Sequence, residues 1–524
     1  MSRPMAVFGL ETEHSIYPRW DLMGGPLKNT GETHRVVDSI VESAFQLPEI
    51  MGPQHIVTFG RQMSAHRLQW LHNGSRFYND IGAPELSLPE CWRPDTLVAY
   101  DQAGIRIMRM AVARAEQELG YEVDIYRKNT DGHGHTYGCH ENYCVAARLH
   151  DELTKGPVPK TTQHVLATFL IVRSLLTGAG KVGIEDHGDM RAAFQLTQRM
   201  DFVNTFMSGD TTIARPLINT RDEGHADKTQ FNRLHYIIGD ANMCQVPTYL
   251  KVGLTALLLS LLEEAGRATY VLPTFYLGAS EYPKIAQRVS WDVSMEHRFP
   301  VIMTRRQGQD RKDEMSAAEI LHQFLIRLEL YVRERSFDTA EERVVYADVV
   351  ARAHEALEHL RSGRVRKLYG TLDWPTKYIL LDEYLKRRGR TWDEAARDDG
   401  LRRRMRSYVD LAYGSIKEEG GTYWNLLRTG VIRTIVGEDA IARAVMEPPE
   451  GRAALRTALV DTYLDAVRGM DWNKVMLSGP NRTWTIKLPD PKESLTPEHR
   501  RFLATHPTLR DLNLRLRGAR RKEE

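Results

Sequence analysis

The sequence predicts a soluble globular chain that mixes strands with long helices. Three observations carry this. Apolar content of 42% with 27% charged residues is that of a chain with a real core and a solvated surface. Short segments at 6–16, 76–80 and 121–126 read as strands. Longer segments at 94–119, 163–177, 249–265 and 340–361 read as helices. With 524 residues the chain can bury one large core plus a smaller unit, or several domains.

Residues 6–16 alternate like a strand. Glu11 and Glu13 lie two apart, so both carboxylates share a face. Such a pair repels unless a cation or an arginine lies between its members. An exposed edge would tolerate it, but Val7, Phe8 and Leu10 make the segment a core strand and favour a divalent ion. Residues 18–68 are irregular, with turn signals at Gly24-Gly25-Pro26 and Gly52-Pro53 and a helix around 35–45. A connection this long between two strands predicts a lid or substrate loop, with a passive excursion as the alternative. Residues 76–80 then form a short strand with Tyr78 and Asp80 on one face. Gly82, Ala83 and Pro84 break it, and Glu85 follows the turn. Two carboxylates so placed can converge on a metal, a phosphate or a reacting carbonyl. Taken alone, a surface hairpin with solvated acids explains them equally well.

Residues 94–119 form an amphipathic helix through Leu97, Tyr100, Ile107, Met108, Ala111 and Ala115, ended by Gly120. A strand at 121–126 leads into KNTDGHGHTYGCHENY at 128–143. This cluster reads as a ligand-binding strand–loop–strand containing His140, Glu141 and Asn142. A zinc site built from His133, His135, Cys139 and His140 matches no common spacing and is not favoured. Residues 163–177 and 249–265 are buried helices, the second apolar almost all round and therefore central. Between them, 215–227 packs Arg215, Arg221, three acids and His225 together, as a phosphate or carboxylate site or as a salt-bridged loop. Residues 233–242 form a strand ending in polar residues. Helices at 324–332, 340–361 and 374–388 carry charged, solvated outer faces. Pro448-Pro449 precedes a helix at 452–467, and 471–488 reads as strands. The expected division is a large domain over 1–400, a small domain over 401–490 and a basic tail over 491–524. The tail reads as a frayed solvated end rather than a partner-binding arm.

A formal charge of +2, from 71 basic and 69 acidic residues, gives no reason to expect a nucleic-acid partner. The four cysteines show no C-x-x-C spacing and suggest a reducing compartment. The N-terminus lacks the apolar run of a signal peptide. The most apolar stretches, 165–172 and 254–262, are too short to span a bilayer. The expected location is the cytoplasm, away from any membrane.

Five ordered motifs then stand out: GLETE at 9–13, NGSRFYND…PE at 73–85, NTDGxGxxYGCHENY at 129–143, RPLINTRDExHAD at 215–227 and RLHxIIGDAN at 233–242. With Asp373-Trp374 and PPEGRAALR at 448–456, the chain resembles the Pup ligase and Pup deamidase/depupylase family from residue 6 to 488. That family is related to glutamine synthetase and gamma-glutamyl-cysteine ligase. The resemblance implies an α+β fold: a glutamine synthetase-like catalytic domain with a curved, mainly antiparallel sheet backed by helices, plus a small C-terminal α/β domain. It implies ATP, or ADP plus phosphate, and Mg2+ in the sheet's cradle. The implied partners are Pup or a Pup-like modifier, small, disordered and ubiquitin-like, and the target proteins it modifies, in the bacterial proteasome pathway.

Carried over by position, Glu11, Tyr78, Glu85, His140 and His225 fall on the metal region. Glu13, Asn142, Arg221 and Arg233 fall on nucleotide and phosphate, and Asp80 on the catalytic aspartate. A ligase would activate the modifier's C-terminal glutamate for attack by a lysine amine. A deamidase/depupylase would use Asp80 as nucleophile or to activate water against a C-terminal glutamine or an isopeptide. The five-residue step from Asp80 to Glu85 resembles the deamidase/depupylase branch, which is the expected activity. Asn129-Thr130-Asp131 and Gly138-Cys139-His140 resemble the ligase branch, the alternative. Ala83, Leu86, Lys128, Met200 and Gly224 depart from the family pattern and leave room for a nucleotide-binding adaptor, but retention of Glu11, Asp80 and Glu85 argues against it.

Overall fold

In a computed structural model, residues 6–18, 31–53, 55, 69–131, 134–156, 160–183, 192–223, 225–264, 275–277, 281–303 and 311–512 are described. Five strands form the sheet that positions the site: β1 (Val7–Glu13), β2 (Arg76–Asp80), β3 (Ala83–Ser87), β4 (Cys139–Ala146) and β5 (Phe231–Tyr236). Their order is β5-β4-β1-β3-β2, and every neighbouring pair is antiparallel. Strand alternation sorts the side chains. Phe8, Leu10, Phe77, Leu86 and Tyr143 are buried in the core. The intervening residues, Glu11, Glu13, Tyr78, Asp80, His140 and Asn142, take the other face and stay partly accessible.

Helices fill the space beneath. α1 (Gly31–Ala44) buries Val36, Val37, Ile40 and Val41, so part of the 18–68 segment belongs to the core. Residues 19–30, 54 and 56–68 of that segment lie outside the described residues. α2 (Pro94–Leu119) begins with proline in its first turn, ends on the left-handed Gly120, and passes under Leu86 and Leu88 at Gly104. α3 (Thr161–Val172) stops sooner than the expected helix at 163–177; a separate turn, Ser174–Thr177, follows after Arg173. α4 (Gln245–Glu264) is the centre of the core. Among the described residues it is the one helix long and apolar enough to cross a bilayer, and its apolar stretch is wholly buried in protein. α5 (Ala317–Glu334) and α6 (Ala340–Arg361) pack against it and against each other, and α7 (Asp373–Lys386) brings the buried Trp374 ring in, its indole N–H donating to Leu175 O at 2.8 Å.

Helical residues 399–446 pack back on this body. Tyr413 Oη donates to Asp373 at 2.8 Å, and Arg127 N donates to Gly414 O at 2.8 Å. Lys128, one of the departures from the family pattern, is buried against Asp410 at 2.8 Å, and Asp410 also receives Lys377 at 2.9 Å. A buried lysine is tolerable only with such a partner.

α8 (Arg452–Thr462) ends earlier than the expected 452–467, because residue 467 already opens β6 (Val467–Asp471). β6, β7 (Lys474–Ser478) and β8 (Thr483–Lys487) form an antiparallel meander. Gly451 precedes α8 at φ 103, with the Trp92 ring only 2.5 Å from where a Cβ would sit, so no other residue fits. The basic tail is described only to residue 512 and holds a short helix, Pro497–Leu503; its later basic residues lie outside the described residues.

α8 is tied to the sheet by Glu90, whose carboxylate accepts from Arg452 Nε at 2.8 Å and from Arg456 Nη2 at 3.0 Å. Burial pushes the Glu90 carboxyl up, but Arg456 and Arg452 outweigh it and hold it at about 2, against 4.5 when unperturbed. A depressed folded pKa gives stability that is fully present above pH 4.5 and is lost as pH falls toward 2. At 1.36 kcal/mol per unit this amounts to about 3 kcal/mol. Glu90→Gln is therefore expected to lower the thermal midpoint at pH 7, and the gap to wild type should narrow as the pH is brought down through that window. A gap independent of pH would remove the pair from the account.

Candidate active site

Register brings the site groups together. Glu13 faces Glu85, Glu85 faces Tyr78, and Asp80 faces Ala83 across a turn made by Ile81 and Gly82, both at positive φ. Two left-handed residues in sequence are the turn that joins antiparallel strands with no slack. On the other side, Glu11 faces His140 and Gly9 faces Asn142, which in turn faces His235.

Two groups of side chains result. Glu13, Asp80 and Glu85 bring one carboxylate oxygen each within 4.8 Å of one another. Burial raises the Glu85 carboxyl well above its ordinary range, and the charges of Glu11, Glu13 and Asp80 raise it further. Burial and then Glu13 likewise raise Asp80. Like charges held this close call for a cation, and an oxygen-only set suits a hard ion of the magnesium type. Tyr78 stands beside them, its Oη 3.3 Å from Ser87 Oγ; burial and Glu85 keep its phenol protonated.

The second group is Glu11, His140 and His235, again within 4.8 Å. His140 Nδ1 lies 3.5 Å from Glu11 Oε2, and the two imidazoles meet edge to face at 4.9 Å. Burial alone would raise the Glu11 carboxyl, but the hydrogen bond from His140 and the Arg233 charge help hold it well below the usual range. Burial pushes His235 well down, so it is neutral. Arg233 spans the group: Nη1 donates to Asn142 Oδ1 at 2.7 Å and reaches Glu11 at 3.4 Å, while Nη2 donates to Glu223 at 3.0 Å. Arg221 binds the same Glu223 at 2.5 Å. The half-exposed Glu223 thus holds two guanidinium groups that a phosphate could take over.

A cleft opens beside this group, lined by Gly9, Glu11, Asn142, His225, Arg233 and Trp472 among others. His225 stands apart from both clusters, its ring 6.1 Å from that of Trp472 and its carbonyl bound by Arg452 at 2.6 Å. Burial and then Arg233 lower it to about 4, so it is neutral.

Nine of the expected residues, Glu11, Glu13, Tyr78, Asp80, Glu85, His140, Asn142, Arg221 and Arg233, thus lie on or beside one face, and His225 lines the adjoining cleft. Glu141 does not join them. It faces the helices and is bound by Arg173 Nη1 at 2.8 Å and by Tyr143 Oη at 2.7 Å. Its neighbours His140 and Asn142 point the other way because successive strand residues alternate. Three groups were missed: His235, Arg76 and Trp472. The first two were findable, since they stand two residues from Arg233 and Tyr78 on strands already read. Arg76 lies over the Tyr78 ring at 4.7 Å. Trp472 comes from the C-terminal sheet, and nothing local marks it. Of the residues weighed for zinc, His133 lies outside those described, and Cys139 is buried on the helical face, away from His140.

An antiparallel sheet that gathers acids, imidazoles and arginines on one face, with helices behind it, is the scaffold of an enzyme. Comparison with known proteins narrows the class. The family model described as Pup-ligase protein matches residues 6–476. The Depupylase of Acidothermus cellulolyticus is 34% identical over 422 residues, 80% of this chain and 77% of that protein. The Pup--protein ligase of Acidimicrobium ferrooxidans is 33% identical over 495 residues, 93% and 95%. Among solved structures, the complex of the prokaryotic ubiquitin-like protein Pup with its ligase PafA superposes with a TM-score of 0.74 at 25% identity, covering 98% of this chain and 95% of that one. The Pup ligase PafA in complex with ADP gives 0.68 at 27%, covering 87% and 93%. The chain belongs to the Pup ligase family.

Proposed function

We propose that this chain is an ATP- and magnesium-dependent enzyme of the Pup system that hydrolyses the side-chain amide or isopeptide at the C-terminal residue of Pup or a Pup-like modifier. The observation that carries this reading is the convergence of Asp80 with Glu13 and Glu85 on the open face of the sheet. Glu13, Glu85 and Tyr78, with Glu11 and His140 alongside, would hold magnesium. Arg233 and Arg221 would take phosphate oxygens in exchange for Glu223, with Asn142 orienting Arg233. His225 and Trp472 would line the nucleotide cleft, a departure from the metal role expected for His225. Bound nucleotide and magnesium supply positive charge, phosphate contacts and, in the ligation direction, the phosphoryl group that activates a carboxylate. Asp80 supplies the carboxylate that attacks the amide carbonyl or takes a proton from the attacking water. α1 reaches the same hairpin, since Asn79 Nδ2 donates to Asp38 at 2.8 Å. This contact, on the helical side of the sheet, braces the hairpin that carries Asp80; a role for the 18–68 segment as a substrate loop remains part of the proposal. A nucleotide-using site and four cysteines that form no disulfide fit a cytoplasmic enzyme.

The turn of Ile81 and Gly82 favours hydrolysis over ligation, because it sets the short Asp80–Glu85 spacing typical of the hydrolytic branch. The ligase reading is kept because the Acidimicrobium ligase aligns over nearly the full length of both chains. Pure protein incubated with ATP, magnesium, a lysine-bearing acceptor and the modifier ending in Gln or in Glu decides between them by intact mass. A one-dalton gain on the Gln form, or modifier released from a conjugate, is expected. A new conjugate from the Glu form would instead make the chain a ligase.

Trp472 gives a further test. Base–aromatic stacking contributes about 1–3 kcal/mol, so Trp472→Ala should raise the KM for ATP on the order of tenfold and change kcat much less. An unchanged KM would place the base elsewhere.

A further inference from the structure

Away from the cradle, His55, His72 and Asp461 come together from three distant segments. His55 Nε2 lies 2.9 Å and His72 Nε2 3.2 Å from the same oxygen, Asp461 Oδ1, and the two rings meet edge to face at 4.7 Å. We propose that these three side chains form a second metal site, specific for a divalent ion of the zinc type.

Three features support it. First, the donor set is two imidazoles and a single carboxylate, which suits zinc-type ions, whereas the cradle adds the carboxylates of Glu13, Asp80 and Glu85 beside Glu11 and His140. Second, the spacing fits. A tetrahedral ion with bonds of about 2.0–2.1 Å has ligand-to-ligand edges of about 3.3 Å, close to the observed 2.9 and 3.2 Å. Third, His72 is already held in the ligating tautomer. Its Nδ1 stands 2.7 Å from Met446 O, which can only accept. Nδ1 therefore carries the hydrogen, and a neutral ring turns the lone pair of Nε2 toward Asp461. Two lone pairs facing each other at that distance require a cation between them or an added proton. A ligating histidine whose other nitrogen donates to a carbonyl is the usual support of a metal site. Trp70, Leu71, Val460 and Met470 wall a small gap beside the two rings.

The site would act as a clamp. His55 ends the described part of the 31–55 segment, His72 lies four residues before Arg76 on the strand of Asp80, and Asp461 belongs to α8. An ion there ties the 31–55 segment to the C-terminal unit and to the catalytic hairpin.

The test is to titrate the full chain, freed of metal and kept in excess magnesium, with Co2+. We expect a single tightly bound equivalent with the strong visible bands of tetrahedral cobalt, displaced by Zn2+, and a rise in thermal midpoint with Zn2+. Asp461→Asn and His72→Gln should lose both, while His140→Gln, in the cradle, keeps them; His55→Gln is the third variant should either of the first two not fold. A wild-type chain that takes up no tetrahedral cobalt overturns the proposal whatever the variants do, and leaves a protonated His72 as the answer. Uptake retained in the Asp461 and His72 variants but lost in His140→Gln overturns it too, by moving the ion to the cradle.

Discussion

Asp80→Asn is expected to abolish turnover of the modifier while nucleotide still binds. A positioned acid or base contributes on the order of 10²–10⁴-fold, so a loss of at least about 100-fold in kcat is the predicted result. Nucleotide affinity should change little, because Arg221, Arg233, Asn142 and the cleft do not depend on Asp80. The pH profile carries a second signature. Burial and Glu13 raise the Asp80 carboxyl above its unperturbed 3.8. A group that works as the carboxylate is lost as pH falls through its raised folded value, so the acid limb of the rate should lie higher than for an exposed aspartate. Wild-type turnover in the Asn variant would end the assignment, and nucleotide binding lost along with turnover would mean that the hairpin had collapsed.

Glu141→Gln is the change expected to cost most in stability. Glu141 is fully buried beneath the site strand, and its two oxygens receive both terminal nitrogens of Arg173. Arg173 also donates to Lys251 O at 3.1 Å and to Thr255 Oγ1 at 2.5 Å, so the pair joins β4 to α4. Neutralising one partner leaves a guanidinium buried without its counter-charge, which costs about 3–5 kcal/mol. Thermal and urea unfolding should both show it. Replacing the pair together, by Glu141→Met with Arg173→Leu, should recover much of the loss, since it is the stranded charge and not the absent bond that costs most. A double variant no more stable than Glu141→Gln would contradict this.

How far the molecule could be read from its sequence follows from what was local. The helices at 94–119 and 340–361 announce themselves by periodicity and by flanking signals, and appear as Pro94–Leu119 and Ala340–Arg361. The strands bearing Glu11, Glu13, Tyr78 and Asp80 were legible because alternation fixes which residues share a face. The same rule turns Glu141 inward along 139–146, and adds His235 two residues from Arg233 and Arg76 two residues from Tyr78 on their own strands. The segment 163–177 reads as one apolar helix, whereas in the structure the helix ends at Val172 and a separate turn follows Arg173, whose guanidinium binds Glu141. Trp472 and the His55–His72–Asp461 cluster depend on contacts between segments hundreds of residues apart, and no window of sequence contains them.

Each of the five strands supplies at least one group to the candidate site: Glu11 and Glu13 from β1, Tyr78 and Asp80 from β2, Glu85 from β3, His140 and Asn142 from β4, Arg233 and His235 from β5. No fragment of the sheet therefore carries a fragment of the chemistry. Residual activity during unfolding becomes an all-or-none gauge of the intact sheet, and a limited proteolytic nick between any two of these strands should leave either a fully competent enzyme or an inert one, with no weakened intermediate.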